Sequence, residues 1–258
     1  MKFGIVVSKK DIAGMNIVRK LEELGSKLEV FYFDDEIIYA ENIDKNVDFD
    51  FIVFASRHQS VKKIKTLTVH CIGNWKKADF GGKDNTICPT SALLLKHFLK
   101  TLDKNAESVK DKYLVSMEAT HHGPYIEKPH LFIEVGSSEE EWKDLEACEV
   151  VAKTIIDSIK TFKEKNYGIA FGVGGPHYCP GFNEIQLGDK YALSHIVAGY
   201  GLPLNKGLVK QIIDKTSEKV THTIIDWKGC GKSEDRINLI NLLEEFNLEV
   251  IKTSDARS

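Results

Sequence analysis

Histidines and carboxylates gather at the ends of apolar runs in this chain. The segment "MEATHHGPY" (117–125) follows the strand-like "YLVS" and supplies Glu118, Thr120, His121 and His122. "ASRHQS" (55–60) brings Arg57 and His58 after another apolar run, and "GVGGPHYCPGF" (172–182) brings His177 and Cys179 after a third. A packed core gives no reason for three such loops. Histidine with carboxylate can bind Zn²⁺ and activate water, or serve as general base and acid without metal, and both chemistries point to hydrolysis. Glu134 lies inside the apolar run "LFIEVG", four residues after His130 and on the same strand face. Burying that carboxylate unpaired would cost several kcal/mol, so a partner or a metal is expected beside it. His70 in "LTVHCIG" poses the same question more weakly, while His97 and His195 fall in helical patterns and read as structural, and His222 carries no signal.

Two glycine-bearing segments invite a nucleotide reading. "GCGKS" (229–233) fails as a Walker A loop because Asp226 stands where the first glycine belongs. What remains is a helix start with Lys228 and Lys232 nearby, suited to a phosphate, or a tight turn with Ser233 as N-cap. "GVGGPH" is no dinucleotide fingerprint, since His177 replaces the third glycine, yet Gly172, Gly174 and Gly175 permit close backbone approach to a ligand. An arginine such as Arg57 at a strand end suits a phosphate or carboxylate. No H-E-x-x-H, G-x-S-x-G or kinase set is present.

These loops must be held by a scaffold. "FGIVVS" (3–8), "KLEVFYF", "FDFIVFAS" (49–56), "TLTVHCIG" (66–73), "YLVSMEA", "HLFIEVG", "YGIAFGVGG" (167–175), "THTIIDW" (221–227) and "LEVIK" read as strands. Helical periods run over 11–24, closed by Gly25, over 89–102, over 139–163 with a Ser138/Glu141 capping box, near 189–200, over 205–215 and near 234–246. The alternation predicts an α/β layered domain with a largely parallel or mixed sheet, one domain over 1–258, with the loops at carboxyl ends of strands.

The chain has 258 residues, 42% hydrophobic and 28% charged, an ordinary globular composition. With a formal net charge of −3 there is no global field to recruit nucleic acid, so RNA binding needs a local patch. Lysine is dense in "VKKIK" (61–65), "NWKKADFGGK" (74–83) and from Lys206 to Lys219. Five scattered cysteines without a C-x-x-C pair suit a reducing cytoplasm, not a disulfide framework. Neither a signal peptide nor a run of roughly 20 apolar residues is present, which predicts no membrane span.

Taken together, "FASRHQS", "LTVHCIGNW", "MEATHHGPY", "HLFIEVGSSEEEW" and "GVGGPHYCPGF", in this order, closely resemble the archaeal and plant type of D-aminoacyl-tRNA deacylase over roughly residues 1 to 250. The resemblance implies hydrolysis of the ester between a D-amino acid and the terminal ribose of tRNA, a Zn²⁺ cofactor, and a fold similar to that of peptidyl-tRNA hydrolases and nucleoside phosphorylases. On this reading His122 holds or activates water, with Glu118 or Glu134 as orienter. His121 and His177 ligate metal or move a proton, and the metal set is drawn from His121, His122, Glu134 and His177. Backbone N–H groups of Gly172 to Gly175 meet the oxyanion; Arg57, His58, Lys228 and Lys232 bind substrate, and the lysine clusters guide the acceptor arm. A monomer or small homo-oligomer is expected. The rivals are another tRNA-ester or peptidyl-tRNA hydrolase, and a non-catalytic tRNA-binding protein, against which stands the lack of an aromatic-rich or strongly basic RNA module.

Overall fold

The computed structural model describes residues 1–257. The apolar runs of the first half pair into a six-stranded sheet, in which β1 (Phe3–Ser8), β2 (Glu29–Phe33), β3 (Phe51–Gln59) and β8 (His130–Ser137) lie parallel in the order β2-β1-β3-β8. The sheet continues through β4 (Thr66–His70), antiparallel to β8, and β7 (Leu114–Met117), parallel to β4. Every residue of β8 is buried, which its near-continuous apolar sequence anticipates for a central strand. A short hairpin, β5 (Gly73–Asn74) with β6 (Thr86–Ile87), branches from the end of β4.

Pleating sends alternate residues to opposite faces. On one face Val53, Ala55, Leu131 and Ile133 pack under α1 (Ile12–Glu23), α2 (Ala92–Asn105) and α4 (Leu145–Thr161). On the other, Ile52, Phe54 and Phe132 meet Ile37, Ile43, Phe49, Ile72 and Ile126. Gly25, with φ +70°, closes α1 at the position where the sequence calls for a left-handed stop.

The second half forms a separate four-stranded parallel sheet, ordered β10 (Tyr191–Val197), β9 (Gly168–Val173), β11 (His222–Ile225), β12 (Glu249–Lys252). One side carries α6 (Lys206–Asp214) and α7 (Ser233–Glu244); the other carries α5 (Pro180–Leu187) and α8 (Thr253–Ala256). Between the sheets runs α2, whose Phe98 joins the first core while Leu99 joins the second sheet's. Lys96 on the same helix is 1% exposed, and its ammonium donates to the carbonyls of Gln186, Gly188 and Tyr191 at 2.6, 2.6 and 2.8 Å. Burial pulls its pKa down to about 7.

The α/β class with a mixed sheet agrees with the sequence. The strands, however, divide between two sheets. The helical period near 189–200 is misleading: the segment is strand β10, all seven residues buried, and periodicity cannot separate a short buried strand from a helix. His195 therefore sits in a strand, its Nε2 donating to Cys88 O at 2.9 Å. The helix expected over 139–163 is two. Glu141 accepts from the N–H and hydroxyl of Ser138 at 3.0 and 2.7 Å, but this box opens only the one-turn α3 (Glu139–Trp142). Asp144 restarts the chain as α4 by accepting from the N–H groups of Glu146 and Ala147.

Candidate active site and metal centre

The sheet register fixes the centre of the site. Ser56, Glu134 and Thr68 are neighbours across β3, β8 and β4, so Glu134 projects from mid-sheet on the face that carries Phe132. His58 and His70 stand two residues beyond Ser56 and Thr68 on their strands, hence on the same face. Because β4 is antiparallel to β8, they flank Glu134 from opposite directions. His58 Nδ1 is 3.6 Å and His70 Nε2 3.5 Å from Glu134 Oε2. The loops therefore meet over the face of the sheet, not at a common carboxyl edge, since β3 and β4 point their ends apart.

Glu118 enters as β7 ends. Its Oε1 lies 3.1 Å from His58 Nδ1, and its Oε2 lies 2.8 Å from His177 Nε2 and 3.5 Å from His121 Nε2. His177 comes from the loop after β9, so the second sheet completes the site. The seam is bonded: Ala119 N–H donates to His177 O at 2.8 Å and Thr120 N–H to Ile196 O at 2.9 Å. Two tyrosines extend the network. The Tyr178 hydroxyl is 2.9 Å from His58 Nε2 and the Tyr200 hydroxyl 3.2 Å from His177 Nδ1.

Glu118 and Glu134 are 1% and 2% exposed. Burial would raise both pKa values, but the imidazoles of His58, His177 and His70 hold Glu118 well below the ordinary carboxylate range, and His58 and His70 hold Glu134 at about 2. Reciprocally, burial would lower His58, and the two carboxylates outweigh it and lift it to about 11. The same competition, led on the raising side by Glu134, lifts His70. Burial and neighbouring imidazoles instead push His121 well below its usual value and His122 to about 4, so both are neutral at pH 7.

Three histidines share one arrangement. Nδ1 of His70, His121 and His122 lies 3.1, 2.8 and 2.6 Å from the carbonyls of Cys71, Ala119 and Gly123. In the neutral ring each Nδ1 then carries the hydrogen, and each Nε2 is left as a lone pair. Ring atoms of these three converge within 4.8 Å of one another, as do atoms of His58, Glu118 and His177, and of His70, Glu118 and Glu134. His70 Nε2 and Glu118 Oε1 are buried without a hydrogen bond, the His58 approach to Glu118 Oε1 being off-line. Imidazoles oriented by carbonyls at Nδ1, with Glu134 beside His70 Nε2 and Glu118 beside His121 Nε2, are a donor set that suits Zn²⁺. The residues present fit the ion.

The family model described as D-aminoacyl-tRNA deacylase matches residues 45–251. The chain belongs to this family. Its relatives include the D-aminoacyl-tRNA deacylase of Thermococcus onnurineus, 38% identical over 96% of this chain and 98% of the relative, and that of Archaeoglobus fulgidus, 37% identical over 98% and 97%. The Methanocaldococcus jannaschii D-aminoacyl-tRNA deacylase is 35% identical over 96% of this chain and 98% of its own. A crystal structure described as a conserved protein of unknown function superposes with a TM-score of 0.91 at 33% identity, covering 99% of this chain and 96% of that one.

Within this deacylase-family fold, the sequence-derived candidates separate. Glu118, Glu134, His58, His121, His122 and His177 come together. Glu118 orients His177 and not His122, whose orienter is the Gly123 carbonyl. Arg57 does not join His58: strand alternation turns it to the opposite face, where its guanidinium donates to Glu36 at 2.7 Å and lies over Trp142. The glycine N–H groups are not aimed at the cluster either. Gly172 is inside β9 beneath Phe182, Gly174 N–H donates to Val197 O at 2.7 Å, and Gly175 N packs against Gly229. Lys228 and Lys232 stand beyond that loop, before α7. His130 shares the strand with Glu134 but accepts from Ile72 N–H at 3.3 Å. Sequence reading undervalued His70 and missed Tyr178 and Tyr200.

His130 and His195 set an acid limit on the fold. Burial pushes them to about 3 and about 4. The unfolded chain binds these protons near pH 6.5, while the folded chain refuses them until lower pH. Stability therefore falls as pH drops from about 6.5 toward 4, by on the order of 3 kcal/mol for each histidine. Urea midpoints by circular dichroism at pH 7 and 4.5 check this; equal midpoints would remove both histidines from the account.

Proposed function

We propose that the chain hydrolyses the ester of D-aminoacyl-tRNA to free D-amino acid and tRNA, in the cytoplasm, as a monomer or small homo-oligomer. The observation that carries this reading is the buried Glu118 in contact with His58, His121 and His177, in a chain that aligns end to end with deacylases. Among the described residues no helix is long and apolar enough to cross a membrane.

The Glu118 carboxylate accepts from His177 Nε2–H, which leaves Nδ1 as the basic nitrogen on a ring 30% exposed. The Tyr200 hydroxyl beside Nδ1 marks the position for an attacking water. Nδ1 takes the water's proton as its oxygen adds to the ester carbonyl, and returns it to the ribose oxygen as the carbon–oxygen bond breaks. Zn²⁺ held by His70, His121 and His122 would supply Lewis-acid polarisation and a water acidic enough to ionise near neutral pH. His121 and His122 stay neutral for that role because burial lowers their pKa values. Arg57, on the far face, lies away from the reacting groups; Lys228 and Lys232 remain as contacts for tRNA phosphates, an attraction that salt weakens.

Release of tyrosine from D-tyrosyl-tRNA but not from L-tyrosyl-tRNA is the expected result with purified protein and zinc. Release of neither, or of both alike, overturns the reading. His122→Ala is expected to lower turnover by about 10²-fold or more and to reduce zinc bound per chain, with the melting temperature little changed, because the ring is only half-buried. Parental turnover and zinc content in that variant would take His122 out of the site.

A further inference from the structure

A cleft of about 570 Å³ opens on the second sheet beside the cluster, and of its lining only Lys228 has been given a role above. Leu202 and Leu204 form one side, Leu239 and Leu242 of α7 the other, with Asn238, Lys228 and Asp235 as its polar side chains; the Asp235 carboxylate accepts from the Lys232 N–H at 2.8 Å. The volume falls in the range of ordinary small-ligand sites, roughly 300–1,000 Å³.

Cleft and cluster share a wall. Gly199 lines the cleft, and the next residue is Tyr200, whose hydroxyl touches His177. Gly199 N–H donates to Gly175 O at 2.9 Å, two residues before His177. Gly229, from the facing wall, packs so tightly on this loop that a Cβ there would stand 2.0 Å from Gly175 N. The three glycine positions thus serve to keep the partition thin.

We propose that the cleft receives the terminal nucleotide of the aminoacyl-tRNA, an inference that rests on the deacylase reading of the cluster. The leucines cover the two apolar faces of the base, and the Asn238 amide, a donor and an acceptor, meets its polar edge. Lys228 is exposed, and among the described residues its ammonium makes no ion pair, while the nearby Asp226 carboxylate accepts from the N–H groups of Lys228 and Gly229 at 3.2 and 3.3 Å. Lys228 is therefore free for the 5′ phosphate. The ribose then lies across the 199–200 turn, with its ester at His177.

The test uses the uncharged trinucleotide cytidylyl-cytidylyl-adenosine as a competitor of D-tyrosyl-tRNA turnover, and as a ligand in direct fluorescence titration. Leu242→Trp, which fills the half-exposed mouth of the cleft, is expected to raise both KM and the trinucleotide inhibition constant about tenfold with kcat little changed. Lys228→Glu, at an exposed position that the fold does not depend on, is expected to weaken the trinucleotide but not adenosine, which has no phosphate. Unchanged competition in both variants overturns the proposal. So does a cleft that, when filled, loses free D-tyrosine instead of trinucleotide, since it would then hold the amino acid. If the parent binds trinucleotide in the cleft yet hydrolyses no D-tyrosyl-tRNA, the cleft assignment stands and the deacylase reading fails.

Discussion

Glu118→Gln is expected to lower D-aminoacyl-tRNA turnover by about 10²- to 10⁴-fold, the span over which a positioned acid–base pair contributes. The amide keeps the carboxylate's shape but not its charge. His177 then loses the anion that accepts its Nε2–H and so fixes which ring nitrogen is left to take the proton during attack. The fold has reason to survive, because Glu134 still faces His58. Single-turnover release of D-tyrosine, read beside a thermal melt, separates the two effects. Turnover within about threefold of the parent would remove Glu118 from the mechanism; loss of activity together with a collapsed melt would make its role structural.

His58→Ala should act on stability. The ring is 5% exposed and bears the positive charge that lies near both carboxylates. Removing one member of a buried ionic group costs about 3–5 kcal/mol, because the remaining charges are left unpaired in low dielectric. The Tyr178 hydroxyl loses its partner as well. The double variant His58→Ala/Glu134→Gln removes one of the orphaned charges and should recover much of the loss, which a double-mutant cycle measures directly. The pH dependence has a definite sign. His58 has a folded pKa near 11 against 6.5 for the free group, so its contribution is complete below pH 6.5 and is lost as pH rises through about 11. A melt of His58→Ala equal to the parent's at pH 6 would show that the carboxylates do not depend on it.

Much of this architecture can be read from the chain because its central strands are written as apolar runs. "FIVFAS" and "HLFIEV" leave little choice, and a carboxylate within the second announces a partner. The histidine loops are visible for the same reason, polar groups standing where a core has no use for them. Period two also separates Arg57 from His58, a consequence available from sequence alone once β3 is accepted. Other features are hidden in principle. Division of the strands into two sheets depends on pairings between distant segments, which no local pattern encodes. His70 looks the same in sequence whether it fills a core or faces a cation, and Tyr178 and Tyr200 carry no chemical signature until a neighbouring imidazole is known. β10 is a short apolar segment whose spacing also fits a helix, and only burial on both faces decides it.

The seam between the sheets has a consequence for how such an activity can be inherited. Glu118, Glu134, His58, His70, His121 and His122 belong to the first sheet and its loops, whereas His177, Tyr178 and Tyr200 belong to the second. On the proposed mechanism neither half suffices: one holds Glu118 and the candidate metal ligands without His177, the other holds His177 without the carboxylate that fixes its Nε2–H. Recombination or truncation that spares either half intact would still erase the catalytic trait, so the two are constrained to travel as a single unit.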